Sequence, residues 1–314
     1  MSRYKESNFF KDFFRSYIPN KRDNLKQIII KVLFIVSFVG LVVSAVYIGD
    51  YFITADREAS VIEDSRQVWH SNDIETDTKT NIKDTDPYQE LLAQNSDFKG
   101  WITIDGTQVD NPVYQTDDNS FYLNHNQEKK SSAYGALFID YQNTVTETQV
   151  DRNIVIYGHE MKNGSMFGSL KKLKNLSFYK EHSTIEFTLL GEKATYKIYS
   201  IFILNAARED DGGYIYNISR QNFIDQSDFD AWVDEAYDRS IIDTGVDVEP
   251  ADDILTLVTC SEDFENARLV VMARKLRSGE DNTPLNNAAH TNPNPNPTYP
   301  QKWYDERGIK REEE

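Results

Sequence analysis

One thiol, five histidines and an arginine that opens a strand-like run are the residues of this 314-residue chain with the clearest capacity for chemistry. Cys260 is the only cysteine and ends the pattern DILTLVTC, residues 253–260. A thiol at a strand end sits at a rim, and a base or positive neighbour there would raise its thiolate fraction and make it a nucleophile. The competing reading is a small buried hydrophobe. Of the histidines, His70 and His290 fall in polar flanking sequence, and His125 (YLNHNQ) and His182 (YKEHST) fall in polar loop sequence. His159 differs because it ends the apolar run NIVIYGH directly after Gly158, where a missing side chain lets the next residue be aimed across a cleft. A purely structural histidine is the alternative at that position. Arg268 opens RLVVMARKL, and the loop SEDFENA joins it to the cysteine strand, so a hairpin would bring guanidinium and thiol to one rim. An arginine is no base at neutral pH, but its fork can hold a developing oxyanion or a carbonyl. Glu262, Asp263 or Glu265 could instead claim it as an ion-pair partner.

The elements that must position these residues are short and mostly of period two. Candidate strands are WITIDG (101–106), QVDNPVYQ (108–115), GALFID (135–140), NIVIYGH (153–159), TIEFTLL (184–190), ATYKIYSIFIL (194–204), DILTLVTC (253–260) and RLVVMARKL (268–276). Eight strands in one domain suggest a mainly β fold, a closed eight-stranded barrel with short peripheral helices, which leaves no exposed edge. Helical spacing marks 87–95, 165–173 and 228–237, the last after a candidate cap at Ser227. That helix lies in a 48-residue connection, 205–252, and a connection of such length inside a compact domain usually serves a site.

Charge divides the chain. The formal net charge is −17, yet residues 1–49 carry eight bases and three acids, leaving −22 for the remainder. Nucleic acid is excluded as a partner, since phosphate binding needs a concentrated positive surface. With one cysteine there is no intramolecular disulfide, Cys-based zinc ribbon or iron–sulfur cluster. The uncharged run VLFIVSFVGLVVSAVYI, 32–48, with its apolar flanks, reads as a membrane-spanning signal-anchor over 28–53, with Lys31 snorkelling. No small-residue cleavage pattern follows it. The basic side precedes the span, which places residues 1–27 in the cytoplasm and the later residues outside the cell membrane. Residues 54–87 read as a helical stalk fading into a linker, 88–277 as the folded domain, and 278–314 as a disordered Asn/Pro-rich tail.

A strand ending TLVTC, a loop, then RLVV on the next strand, with GHEMKNGSMFGSLKKL upstream, resembles the sortases, the cell-surface thiol transpeptidases of Gram-positive bacteria. Class B is the closest in pattern. The resemblance runs through GWITIDGTQVDNPVYQ, FYLNHN, GALFIDY, SFYKEHSTIEF and the helix-bearing connection before the cysteine strand, over about residues 88–277. It implies a sortase-type barrel with Cys260 as nucleophile, His159 as general acid/base and Arg268 as stabiliser of substrate and oxyanion. It further implies cleavage of a C-terminal sorting signal after threonine and a thioester on the cysteine. The acyl group then passes to an amine, usually on a peptidoglycan precursor, with no metal or organic cofactor. A membrane tether suits this work, because confinement raises the effective concentration of surface-protein substrate and lipid-linked acceptor.

Two positions depart from the class pattern. Val258 stands where some members carry Ser, and Glu160 follows His159 where Asn is common. For substrate contacts the groove beside the thiol points to Val258, Thr259 and Ser261, and the long connection offers Tyr214 or Tyr216, each aromatic having a core reading as well. Within the family, a pilin-polymerising enzyme using a lysine amine is the alternative, with Asp86-Pro87-Tyr88 similar to the lid of such enzymes, although Pro at a helix start is ordinary. A papain-like protease would place cysteine before histidine and on a helix, the reverse of the order here. A non-catalytic surface-binding barrel is the reading outside enzymes.

Overall fold

All eight expected strands form, because each alternates side chains between a packed interior and an outer face. The computed structural model describes residues 16–71, 86–208, 214–281, 288–292 and 301–310. In chain order the strands are β1 (Phe98–Thr103), β2 (Asp110–Tyr114), β3 (Leu137–Ile139), β4 (Asn153–Tyr157), β5 (Thr184–Leu189), β6 (Glu192–Asn205), β7 (Ile242–Asp243), β8 (Ile254–Cys260), β9 (Ala267–Lys275) and β10 (His290–Thr291). Eight of them close a barrel in the order β1-β2-β3-β4-β8-β9-β6-β5. Two junctions are parallel, β2 with β3 and β4 with β8, and the remaining neighbours run antiparallel.

The long connection returns across the outer face of β6 and β9. Its helix, Gln226–Arg239, packs Phe229, Trp232, Val233 and Ala236 against Tyr199, Phe202, Leu204, Val270 and Met272. Burying each such large side chain contributes about 1.5–3 kcal/mol. The helix begins earlier than expected: Asp225, not Ser227, is the cap, its carboxylate accepting from the Asp228 amide at 3.0 Å. Over 165–173 the expected helix is a short 3-10 turn, Leu170–Lys174, followed by the helix Leu176–Glu181 capped by Asn175. Helix Pro87–Gln94 forms as expected, with Asp86 capping the Tyr88 amide and Pro87 in the first turn.

The chain divides into two units, one through Ser60 and one from Val61 onward. In the first, the helix Leu25–Trp69 begins at a reciprocal cap in which the Gln27 amide donates to the Asn24 side chain at 2.9 Å and the Asn24 amide to the Gln27 side chain at 3.0 Å. Its apolar part is long enough to cross a membrane and none of that window is buried within the protein. Lys31 reaches back to Asp23 at 2.9 Å, towards the N-terminal end, as a snorkelling lysine would.

In the second unit the end of that helix is docked on the barrel. Trp69 stacks on Trp101, the ring centroids 5.1 Å apart. Arg66 donates to the Asp110 carbonyl at 2.8 Å, and His70 meets the Asp110 carboxylate at 3.1 Å. His70, in sequence that reads as polar flank, is thereby held against β2. The linker part of the expected stalk, 72–85, lies outside the described residues. The tail also departs from the expectation of disorder in two described stretches. Strand β10 pairs with β7, and the helix Gln301–Arg307 buries Tyr304. The fold extends past 277 through a charge cluster: fully buried Arg274 holds Glu280 at 2.7 Å and Asp247 at 3.2 Å, and Arg277 holds Asp252 at 2.7 Å.

Candidate active site

Register brings the chemistry together. Across the parallel β4–β8 junction Tyr157 pairs with Val258, and the Gly158 amide continues the ladder to the Val258 carbonyl at 3.2 Å. His159 follows two residues past the end of β4, where continuing the same register would bring it level with Cys260. On the other side of β8, Cys260 pairs directly with Arg268. Cys260 and Arg268 thus share one row across β8 and β9, neighbouring strands about 4.8 Å apart, and His159 follows β4 at the same end of the barrel. Cys260 and Arg268 share a face. Ile254 packs outside the barrel against the helix of the long connection, and Cys260, six residues on, shares its side. The thiol is exposed.

Backbone geometry holds the imidazole. Its Nε2 lies 2.8 Å from the Leu123 carbonyl, and since a carbonyl only accepts, Nε2 carries the proton. Neutral His159 therefore keeps its lone pair on Nδ1, available to take a proton. The approach is close: a Cβ on Gly135, at φ +59°, would stand 2.4 Å from the Tyr122 carbonyl oxygen, 3.1 Å from that of Leu123 and 3.2 Å from His159 Cδ2. Gly158 is equally confined, since a Cβ there would meet Leu137 Cδ2 at 2.3 Å. The Leu123 carbonyl and Gly135 hold the imidazole without any side-chain chemistry that would reveal them. The only trace in the sequence is a glycine at the start of the run GALFID.

Arg268 donates to the Ala267 carbonyl at 2.9 Å and has no ion pair among the described residues. Two of its three possible partners are taken: Asp263 pairs with Lys174 at 2.6 Å and Glu265 with Lys302 at 3.6 Å. The other N–H groups of its fork have no hydrogen-bond partner among the described residues. The charge of Glu160 is turned to Lys171, 3.2 Å away.

The remaining expected contacts separate into two groups. Ser261 lies beside the thiol, its hydroxyl donating to Asp263 at 2.5 Å. Val258 is on the outer face and 4% exposed. Thr259 is corrected: by alternation it points into the barrel, it is buried, and its hydroxyl has no partner among the described residues. Tyr216 is corrected too, because it is buried between helix and barrel and its hydroxyl donates to the Trp232 carbonyl at 2.9 Å. Tyr214 is exposed and donates to Glu235 at 2.7 Å; partial burial and that carboxylate push its phenol up to about 12. The other histidines are engaged elsewhere. His125 stacks on Phe121 and its Nδ1 lies 2.9 Å from the Phe121 carbonyl, while His182 meets Asp105 at 2.9 Å.

A family model described as the sortase domain matches residues 102–276. Sortase B of Listeria monocytogenes is 29% identical over 250 residues, which span 76% of this chain and 97% of that protein. Sortase B of Staphylococcus aureus is 30% identical over 192 residues, 60% of this chain and 75% of that protein. Among solved structures, a Staphylococcus aureus sortase B–substrate complex is similar with a TM-score of 0.60 at 26% identity, covering 72% of this chain and 99% of that one.

Proposed function

This chain belongs to the sortase family, in class B, and is a cysteine transpeptidase; from that premise we propose that Cys260, His159 and Arg268 perform the transfer on a cell-surface substrate. The observation that carries the reading is the direct pairing of Cys260 with Arg268 at the barrel rim, with His159 following the parallel neighbour β4 at the same end.

The thiolate of Cys260 attacks the carbonyl carbon of the threonine in a C-terminal sorting signal. A carbon–sulfur bond forms, and the tetrahedral oxyanion is held by the free N–H groups of Arg268. As the intermediate collapses, the carbon–nitrogen bond breaks and His159, as imidazolium, gives its proton to the leaving amine. The signal's C-terminal part departs and a thioester remains on Cys260. An incoming amine, on a peptidoglycan precursor, then attacks the thioester carbonyl. Neutral His159 accepts the amine's proton, the carbon–sulfur bond breaks, and thiolate and imidazolium are restored. The Nε2 bond to Leu123 is compatible with both states, because that nitrogen is protonated throughout.

The helix Leu25–Trp69 would serve as a single-pass anchor, with residues 1–27 cytoplasmic and the barrel outside. The excess of bases before the span supports this orientation. Anchoring to the wall is favoured over pilin polymerisation by one observation: Asp86-Pro87-Tyr88 is the capped start of a helix, with Tyr88 buried against Phe98, and so is engaged in the fold. The test is mass spectrometry of the protein incubated with sorting-signal peptides and candidate amines. A thioester adduct on Cys260, lost in Cys260→Ala, is expected. Cleavage by Cys260→Ala would refute the assignment, and an unreactive thiol towards small electrophiles at neutral pH would favour a non-catalytic barrel.

A further inference from the structure

The loop between Cys260 and Arg268 is gripped from two sides. Inside it, the Asp263 carboxylate accepts from the Ser261 hydroxyl at 2.5 Å and from the Lys174 ammonium at 2.6 Å. Lys174 ends the 3-10 turn that follows the His159 segment, so this one carboxylate ties the histidine-bearing segment to the residue next to the thiol. From the other side, Arg307 of the C-terminal helix donates to the Asp263 carbonyl at 3.2 Å, and Lys302 pairs with Glu265. Burial raises the Asp263 carboxyl, but its bonds to Lys174 and Ser261 outweigh that and hold it below the usual range, so it is ionised. Backbone bonds from Ser261 to Ala267 and from Ala267 to Phe264 close the turn, and Asn266, at φ +64°, completes it.

We infer that Asp263 is a positioning residue for the transfer reaction, fixing through Lys174, Ser261 and Arg307 the turn that sets Cys260 against His159 and Arg268. The inference rests on the transpeptidase reading and goes beyond it. Asp263 touches no reacting atom. It acts through the backbone of a turn only two residues beyond the thiol, where a displacement of about an ångström is enough to cost about a hundredfold in rate. The C-terminal helix is thereby part of the catalytic support, although it lies past the matched domain.

The test uses the full-length chain in lipid nanodiscs, with turnover of a sorting-signal peptide expressed per Cys260 thiol titrated by iodoacetamide. Asp263→Asn, which faces an amide towards Lys174, should lower kcat about tenfold or more with a smaller change in KM. Lys174→Met should lose a large part of the same factor, and Lys174→Arg should keep most of the activity. Ending the chain at Pro300 should cost about two- to tenfold, the worth of one hydrogen bond. A merely structural role would lower Tm and leave turnover per titrated thiol intact. Parent-like turnover per thiol in both Asp263→Asn and Lys174→Met overturns the inference. Amide exchange over 261–267 gives a readout that does not need the reaction: it should quicken in both variants, and unchanged exchange also overturns the inference. If the parent forms no acyl-enzyme, the transpeptidase reading fails separately, and exchange alone decides the positioning role.

Discussion

Replacing Gly135 by alanine isolates the backbone contact that aims the His159 imidazole. The residue sits at φ +59°, where an alanine costs about 1–2 kcal/mol. Its Cβ would stand 2.4 Å from the Tyr122 carbonyl oxygen, the same atom that accepts from the Ala136 amide at 2.9 Å. Opening that contact to an ordinary separation of about 3.5 Å shifts the Tyr122–Leu123 turn by about an ångström. The Leu123 carbonyl is only 2.8 Å from His159 Nε2, so a shift of that size takes it out of hydrogen-bonding range. Loss of the bond alone is worth about two- to tenfold, and misplacement of the imidazole up to about a hundredfold. We expect kcat/KM for thioester formation to fall about ten- to a hundredfold, measured by peptide cleavage with active-site titration. Tm should fall by about 2–8 °C, since about 1–2 kcal/mol is lost from a unit of this size. A variant whose Tm falls as expected while kcat/KM stays within about twofold of the parent would refute the argument that Leu123 holds the histidine.

Two further outcomes follow from other contacts. Arg268→Lys should reduce acyl-enzyme formation about a hundred- to a thousandfold without changing the thiol's accessibility, because an ammonium cannot present the planar fork; near-parental single-turnover rates would assign Arg268 a structural role instead. The hydrogen bonds from Arg274 hold Glu280 well below the usual carboxylate range against the opposing effect of burial, and in Asp247 the two arginines outweigh burial in the same direction. A carboxylate depressed in the folded state stabilises above its unfolded pKa, about 4 for these groups, and that contribution is lost as pH falls through and below 4. The urea midpoint should therefore drop between pH 6 and pH 3, and Glu280→Gln should flatten the drop; an equal slope in the variant would count against it.

How much of this was readable in the residues depends on where each signal resides. The eight strands were legible because period-two alternation persists over five or more residues in most of them, and Cys260 and Arg268 announced themselves by ending and opening adjacent runs. His159 was legible through Gly158, whose lack of a side chain is required beside Leu137 and Phe167. Tyr214 and Tyr216 could not be told apart, since two residues in a connection of irregular path carry no periodicity to say which is buried. Thr259 was misread as a groove contact although alternation from Cys260 already turns it inward. The Leu123 carbonyl has no side-chain signature at all. The docking of the tail rests on single residues, Tyr304 and Arg307, in a segment whose composition is otherwise that of a solvated chain.

The arrangement of strands explains why the active residues can come from such distant places. In an antiparallel pair a hairpin brings near neighbours together, which suffices for Cys260 and Arg268. The histidine lies 101 residues before the cysteine, and only a parallel junction lets both strands leave the barrel at one rim with those residues level. Such a junction has no turn to set its register, and a slip of one residue would put the thiol inside the barrel and Thr259 outside. The pin is polar and buried at the other end of the same two strands. Thr256 donates to the Asn153 side chain at 2.8 Å, and the Asn153 amide donates in turn to the Ile218 carbonyl at 2.8 Å, in the long connection. A slipped β8 would replace Thr256 at that point by an apolar neighbour and leave a buried amide group without its partner, at a cost of about 1–3 kcal/mol. The long connection therefore does more than cover the barrel: by engaging Asn153 it pins the register of β4 against β8, the strands that lead to His159 and Cys260.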